Sequence, residues 1–339
     1  MEPNNIIDDD QVSVSEMFNP PFSEPSLEIY RDSHYIRTSY GVTSYQLFEP
    51  ELQSNGTLRP RLIKNLSERK YHKKPLKMVV LFHGIVIWSF IFHRYVQTLI
   101  ENDFTVLLFD FYGRGKSEAP MDQMYTLDLF LSQALDLLDN LKVDSVYCIG
   151  YSMGGAVASH FASTHPQRLI KLILLGPAIA PVINMPFAAK LITWPIIGKF
   201  VFSLFGSQGL VNKLERERLS TDISDPDSID RRVVDDLVTK IKWQIVEKPN
   251  YLNSFHSTLC NIPFQSGIAH LLSNIPKSLP IYVILGTKDN IINYQNSVNF
   301  LKQHLSFARV DSLECGHAFT LESPEQSVNL IIQYLLEPL

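Results

Sequence analysis

Three residue types in this chain could together carry out covalent chemistry: a serine between glycines, a later aspartate and a still later histidine. Ser152 stands in Gly150-Tyr151-Ser152-Met153-Gly154-Gly155, directly after the apolar run Val146-Tyr147-Cys148-Ile149 and before the helix-like Ala156–Ala162. A strand that reverses sharply into a helix forces its central residue into a strained backbone conformation, at a cost on the order of 1–3 kcal/mol. The flanking Gly150 and Gly154 are what such a turn demands, because a β-carbon there would collide with neighbouring chain. The serine hydroxyl is then held out at the tip. The N-terminal amides of the following helix direct partial positive charge at the reacting centre.

A serine hydroxyl attacks poorly until a base takes its proton, and that base needs a partner to fix its tautomer. Both are available downstream. Gly286-Thr287-Lys288-Asp289 follows the strand-like Leu279–Leu285, and Cys315-Gly316-His317 follows the strand-like Ala308–Leu313. Asp289 and His317 are thereby placed at the carboxyl edge of a sheet, where active groups of open α/β sheets gather. The bland reading of Asp289 is a turn-capping aspartate, common after strands. The end of the strand before the long insertion reads Leu174-Leu175-Gly176-Pro177 and offers no rival carboxylate. Asp311 lies inside a strand. Of ten histidines only His304 and His317 follow Asp289, and His304 belongs to a helical pattern that faces solvent.

Acyl transfer also needs donors for the oxyanion of a tetrahedral intermediate, worth about 2.7–4 kcal/mol each. The backbone N–H of Met153, next after the nucleophile, is one. The loop His83-Gly84-Ile85-Val86 supplies the other, with Gly84 permitting close approach and the Ile85 N–H donating. His83 precedes the serine and adjoins a glycine turn, so it reads as a structural histidine that holds the loop. The bulky apolar run Ile85-Val86-Ile87-Trp88 makes the mouth of the pocket apolar, as a lipid or hydrophobic ester would favour. Asp110-Phe-Tyr-Gly113-Arg-Gly115-Lys-Ser117 reads as a tight loop supporting the active-site rim. It lacks the third glycine and helix start of a phosphate cradle.

These residues need a scaffold, and the chain spells one. His34–Phe48 suggests a hairpin with Gly41-Val42 near its turn, and the basic stretch Gln53–Lys74 reads as a loop. Thereafter Lys77–Phe82, Phe104–Phe109, Ser145–Ile149, Leu169–Leu175, Leu279–Leu285 and Ala308–Leu313 are short apolar strands. Helical spacing appears at Tyr125–Leu141, Asn296–Leu305 and Pro324–Leu336. Near-continuous apolar strands separated by helices indicate a parallel sheet covered on both faces. The rhythm breaks between about Pro177 and Ile275, where amphipathic pieces such as Arg231–Val246 predict a helical cap. The expected organisation is an acidic flexible tail over 1–27, an α/β core over 28–176 and 276–339, and a helical cap insertion over 177–275.

The 339 residues, 45% hydrophobic and 19% charged, suit a large globular α/β domain with an insertion. A net charge of −5 argues against non-specific attraction to nucleic acid. The N-terminal MEPNNIIDDD carries neither a basic region nor an apolar core, which argues against a secretory signal and for a cytoplasmic protein. Cys148, Cys260 and Cys315 lack C-x-x-C spacing and read as buried free thiols of a reducing compartment, with no support for zinc. The greasy stretch Met185–Phe205 is broken by Lys190, Pro195, Gly198 and Lys199, short of the roughly 20 clean apolar residues of a spanning helix. Its aromatics read first as a buried helix face. Were it exposed, it would suit an interfacial helix resting on a membrane.

The ordered set His83-Gly84, Asp110-x-x-Gly113-x-Gly115-x-Ser117, Gly150-x-Ser152-x-Gly154-Gly155, Gly286-x-x-Asp289 and Gly316-His317 resembles the α/β-hydrolase superfamily over about residues 34 to 336. It is similar above all to capped esterases, monoacylglycerol-lipase-like enzymes and carbon–carbon bond hydrolases. The resemblance implies an α/β-hydrolase fold and a triad of Ser152 as nucleophile, Asp289 as orienting acid and His317 as general base. It further implies an oxyanion hole from Ile85 and Met153 and no metal or organic cofactor. An aspartate at the elbow, as epoxide hydrolases and haloalkane dehalogenases require, is absent. The expectation is hydrolysis of a hydrophobic acyl ester or monoacylglycerol-like lipid through an acyl-enzyme. The alternatives are a hydrolase of vinylogous diketones and a silent binding protein on the same scaffold.

Overall fold

A central sheet of nine strands carries the molecule in the computed structural model, which describes residues 32–70, 76–182, 197–217 and 219–339, with the side chains of 197–205 excepted. The strands are β1 (His34–Thr38), β2 (Gly41–Leu52), β3 (Leu58–Ile63), β4 (Met78–Phe82), β5 (Thr105–Phe109), β6 (Val146–Tyr151), β7 (Leu169–Leu175), β8 (Ile281–Gly286) and β9 (Arg309–Leu313). Their order is β1-β2-β5-β4-β6-β7-β8-β9, with β3 also paired to β2. From β5 through β9 neighbours run parallel, and β2 is antiparallel to β1, β3 and β5.

The continuous apolar strands have a simple cause. In β4, Met78, Val80 and Phe82 enter one core, while Val79 and Leu81 enter the other. Successive side chains leave a strand on opposite faces, so a strand buried on both sides needs no polar residue. Helix α1 (His93–Glu101) covers one face together with the closing helix, and α2 (Leu127–Asn140) and α3 (Met153–Thr164) cover the other. The hydroxyl of Thr126 caps α2 by accepting from the Leu129 N–H at 3.2 Å.

Between β7 and β8 the described residues form helices and no strand: α4 (Ile197–Glu217), α5 (Arg231–Val246), α6 (Tyr251–Asn261) and the short α7 (Ala269–Leu272). After β8 come α8 (Tyr294–His304), a single turn α9 (Phe319–Glu322) and the closing α10 (Pro324–Leu336). In α5 the residues Val234, Leu237, Val238, Ile241 and Ile245 repeat every three to four positions and build a separate apolar cluster with Tyr251 and Phe255. Ala318 joins that cluster, and Ile85, Val86 and Ile87 pack against it. The cap thus sits on the loops after β4 and β9.

Two sequence expectations change. The stretch read as a loop contains β3, an edge strand pairing Leu58 with Leu52 through Ile63 with Leu47. Its half-exposed residues and Pro60 hide it from a search for apolar runs, and only an edge tolerates such a proline. Arg59 and Arg61 on β3 pair with Glu51 and Glu49 on β2. The expected hairpin is present, its turn at Ser39-Tyr40 beside Gly41, which pairs with Thr38. Cys148 and Cys315 are buried, but Cys260 is exposed near the end of α6, because that helix shows its outer face to solvent. The expected tail over 1–27 lies outside the described residues, as do most of 185–205. No helix among the described residues is long and apolar enough to cross a membrane.

Candidate active site

Ser152 sits between β6 and α3 with φ 55° and ψ −119°, the left-handed region that a serine adopts only under constraint. The constraint is visible on every side. The Ser152 N–H donates to the Leu175 carbonyl at 3.0 Å, and its own carbonyl accepts from Gly155 and Ala178, each at 2.9 Å. A β-carbon on Gly154 would lie 2.1 Å from the Phe82 carbonyl oxygen, and one on Gly150 would lie 2.6 Å from the Gly154 carbonyl oxygen. Strand, turn and helix therefore close on one another only with glycine at both positions. Strain of about 1–3 kcal/mol is held by this packing.

Asp289 and His317 arrive from separate loops at the carboxyl ends of β8 and β9. The loops are zipped together: the Thr287 N–H donates to Leu313 at 2.9 Å and the Lys288 N–H to Cys315 at 3.0 Å. Asp289 Oδ1 accepts from the Ile291 and Ile292 N–H groups at 2.8 and 2.7 Å, which leaves Oδ2 for His317 Nδ1 at 2.7 Å. His317 Nε2 lies 2.9 Å from Ser152 Oγ. All three residues are buried. With Nδ1–H donated to the carboxylate, Nε2 is left to accept the serine proton. Glu322 steadies the histidine loop by accepting from the Gly316 N–H, and the Tyr151 hydroxyl donates to the His317 carbonyl at 3.0 Å.

Burial alone would lower the His317 pKa, but the charge and hydrogen bond of Asp289, with the charge of Asp222 behind it, hold it above 6.5. Asp222 was not foreseen. It lies between α4 and α5, its carbonyl accepts from the Ala318 N–H at 3.0 Å, and burial raises its own pKa. Nothing local in Thr221-Asp222-Ile223 marks it, because its position depends on how the cap is seated.

The residues expected to line an oxyanion hole flank Ser152. Met153 is the first residue of α3, so its N–H has no acceptor within that helix. Gly84 packs directly on the serine: a β-carbon added there would lie 3.5 Å from Ser152 Cβ. Ile85 follows it. His83 is buried and neutral, its pKa pushed down to about 3 by burial, and the Phe111 N–H donates to its Nε2 at 2.8 Å. Nδ1 therefore carries the proton and donates to the Gly84 carbonyl at 2.8 Å. Because a trans peptide sets its C=O and N–H in opposite directions, this bond fixes where the Ile85 N–H points. Asp110 ties the adjoining loops, accepting from the Ser89 N–H and hydroxyl and from the Lys116 N–H. His304 takes no part in this relay; it ends α8 with its ring against Phe300. No group of three or more His, Cys, Asp or Glu side chains among the described residues is arranged to hold a metal.

A strained serine at a strand–helix turn, relayed through histidine to a carboxylate across a mostly parallel sheet, defines an α/β-hydrolase. Residues 77–324 match the family model of the alpha/beta hydrolase fold, and the chain belongs to that family of hydrolases. It is 29% identical over 233 residues to a 2-hydroxymuconate semialdehyde hydrolase of Pseudomonas putida, covering 67% of this chain and 75% of that protein. It is 34% identical over 119 residues to Lipase LipV of Mycobacterium tuberculosis, covering 35% of this chain and 44% of the lipase. Among solved structures, the enol-lactonase of Burkholderia xenovorans LB400 superposes with a TM-score of 0.68 at 20% identity, covering 89% of this chain and all of that one.

Proposed function

We propose that this chain is a serine hydrolase that cleaves a carboxylic ester, of a hydrophobic acyl group or a monoacylglycerol-like lipid, through an acyl-enzyme. The observation that carries the reading is the unbroken relay from Ser152 Oγ to His317 Nε2 at 2.9 Å and from His317 Nδ1 to Asp289 Oδ2 at 2.7 Å. In the first half-reaction Ser152 Oγ bonds to the carbonyl carbon while its proton passes to Nε2. The resulting imidazolium is balanced by Asp289. The Ile85 and Met153 N–H groups receive the oxyanion, and Nε2 returns the proton to the leaving alcohol as the C–O bond breaks. Water, deprotonated by the same nitrogen, then attacks the acyl-enzyme, releasing acid and restoring Ser152.

Two features support a neutral, apolar substrate. Ile85, Val86 and Ile87 pack against the apolar cluster of the cap. The charges acting on His317 are those of two carboxylates, Asp289 and Asp222. A second reading, hydrolysis of a carbon–carbon bond in a vinylogous diketone, is favoured by the curated relatives. The 2-hydroxymuconate semialdehyde hydrolase of Pseudomonas putida covers two thirds of the chain, whereas Lipase LipV covers 35%. That chemistry would use the same triad. The carboxylate carried by a muconate-type substrate would approach a histidine already faced by two carboxylates.

The deciding experiment is a hydrolysis screen of wild type and Ser152→Ala over p-nitrophenyl esters of increasing chain length, monoacylglycerols and a vinylogous diketone. Ester turnover lost in a normally folded Ser152→Ala variant supports the proposal. Turnover unchanged in that variant overturns it, and kcat/KM on the diketone far above that on every ester selects the second reading. Fluorophosphonate labelling of Ser152 that requires His317 separates an active serine from a silent scaffold.

A further inference from the structure

Beyond the triad, three consecutive carbonyls of the loop after β4 are each held by a side chain, the first by His83 of the same loop and the other two by Arg114 and Gln244 from elsewhere. His83 Nδ1 donates to the Gly84 carbonyl at 2.8 Å, Arg114 Nε to the Ile85 carbonyl at 2.6 Å and Gln244 Nε2 to the Val86 carbonyl at 2.7 Å. The first two bonds fix the peptide planes on either side of Ile85, so its φ and ψ are both pinned. The third fixes the plane that follows. Gln244 comes from α5 of the cap, 158 residues away from Val86. Its Oε1 in turn accepts from the Gly115 N–H at 2.7 Å.

Arg114 is unusual in its own right. It is fully buried, and among the described residues no carboxylate pairs with it. Its remaining nitrogens donate to the hydroxyls of Ser254 at 3.1 Å and Thr258 at 3.0 Å on α6, and its guanidinium lies near the rings of Tyr251 and Phe255. A buried cation without an anion is an expensive way to gain stability, and apolar side chains of like volume would serve a purely structural contact better. What it does here is join three parts: the loop after β5, the loop after β4 and the cap helix α6. Gln244 makes the corresponding join through α5.

We propose that Arg114 and Gln244 are positioning residues for the oxyanion loop, holding the Ile85 and Val86 carbonyls so that the Ile85 N–H stays aimed at the reacting centre only while the cap is seated. The inference rests on Ile85 as an oxyanion donor. It makes the cap part of the catalytic machinery as well as a cover for the substrate. A cap that lifts would release Gln244 from Val86 and strip Arg114 of the α6 hydroxyls that orient it, so the loop would lose one of its three holds and the support behind a second.

The test compares wild type with Gln244→Met, which keeps length and removes both hydrogen bonds, and with Arg114→Lys, which keeps the charge and loses the fork. Amide hydrogen exchange of residues 84–88 is followed in each, with ester kcat and KM per fluorophosphonate-titrated serine and with Tm. The expected result for both variants is faster exchange at residues 84–88, joined in Gln244→Met by the Gly115 N–H that Gln244 releases. With it, kcat should fall by about 10–100-fold, up to the loss seen on removing an oxyanion donor, with KM little changed. Wild-type exchange in the loop overturns the inference, as does a rate loss accounted for wholly by fewer titratable serines. Should Arg114→Lys fail to fold, Gln244→Met decides. If wild type turns over no ester, the functional reading fails on that arm, while the exchange arm still decides whether the cap positions the loop.

Discussion

The carbonyl of Asp222, in the cap, accepts a hydrogen bond at 3.0 Å from the N–H of Ala318, the residue after His317. One bond thus ties the cap to the loop that carries His317, and the Asp222 carboxylate adds to the field that holds His317 above 6.5. Activity needs neutral imidazole, so the acid limb of kcat/KM should lie above 6.5 and rise with pH. Asp222→Asn keeps the backbone bond and removes the charge. The acid limb should then move toward lower pH with the plateau rate retained, as read from a pH–rate profile. A limb that stays in place would show that the Asp222 charge does not reach the base. The same raised pKa means that His317 stabilises the fold fully below 6.5 and that this contribution is lost as pH rises through the folded value.

Thiol reactivity should separate the three cysteines. Cys148 and Cys315 are fully buried and their thiol pKa values are raised by burial, whereas Cys260 is exposed. Reaction of native protein with a disulfide reagent should therefore consume one thiol per chain, slowly, because partial burial also raises the Cys260 pKa. Three should react after denaturation. Cys260→Ser should abolish the native reaction. Two or more reactive thiols in folded protein would contradict the described packing.

Lys171 makes a separate stability prediction. It is buried on β7, and its ammonium donates to the Tyr334 and Glu337 carbonyls at 2.8 and 2.6 Å, capping the end of α10. Lys171→Met would leave those carbonyls without their donor, for a loss of about 1–3 kcal/mol in unfolding free energy by urea titration. Ester turnover should be unaltered, since the bonds lie at the far end of the strand from Ser152. A denaturation midpoint equal to wild type would refute the capping role.

Much of the molecule was legible because its signals are local. Strands such as Val79–Phe82 announce themselves by runs of apolar residues, and the triad by glycines whose need is set within a few residues. The α/β order followed from the apolar strands, and the pairing of Asp289 with His317 from their strand-end positions together with chain order and the setting aside of His304. β3 escaped because an edge strand needs only one apolar face, and Arg59, Pro60 and Arg61 look like loop. α1, with Tyr95, Val96, Leu99 and Ile100 facing the core, went unread between two strands. Asp222, Arg114 and Gln244 escaped for a deeper reason. Their partners across the boundary between core and cap, Ala318, Ser254 and Val86, lie 96, 140 and 158 residues away, and no spacing rule encodes a contact that exists only once the cap has docked.

Gly176, at the end of β7, shows how tightly the relay is enclosed. Its φ is +44°, and an added β-carbon would lie 2.8 Å from the Phe319 ring, 3.3 Å from His317 Nδ1 and 3.4 Å from Asp289 Oδ2. The position is therefore closed to other residues twice over, by backbone handedness and by space. The Phe319 ring cannot withdraw far, because it is packed in the core against Tyr151. Gly176→Ala should cost about 1–3 kcal/mol of stability. It should also lower kcat by up to about 100-fold, because the methyl group presses on the Asp289–His317 pair, and a displacement near 1 Å there is enough. The two effects separate on measurement: thermal unfolding reads the strain, and kcat per titrated serine well below Tm reads the geometry. A variant that loses Tm but keeps wild-type kcat would mean that the pair tolerates the methyl group, and that the glycine serves the turn alone.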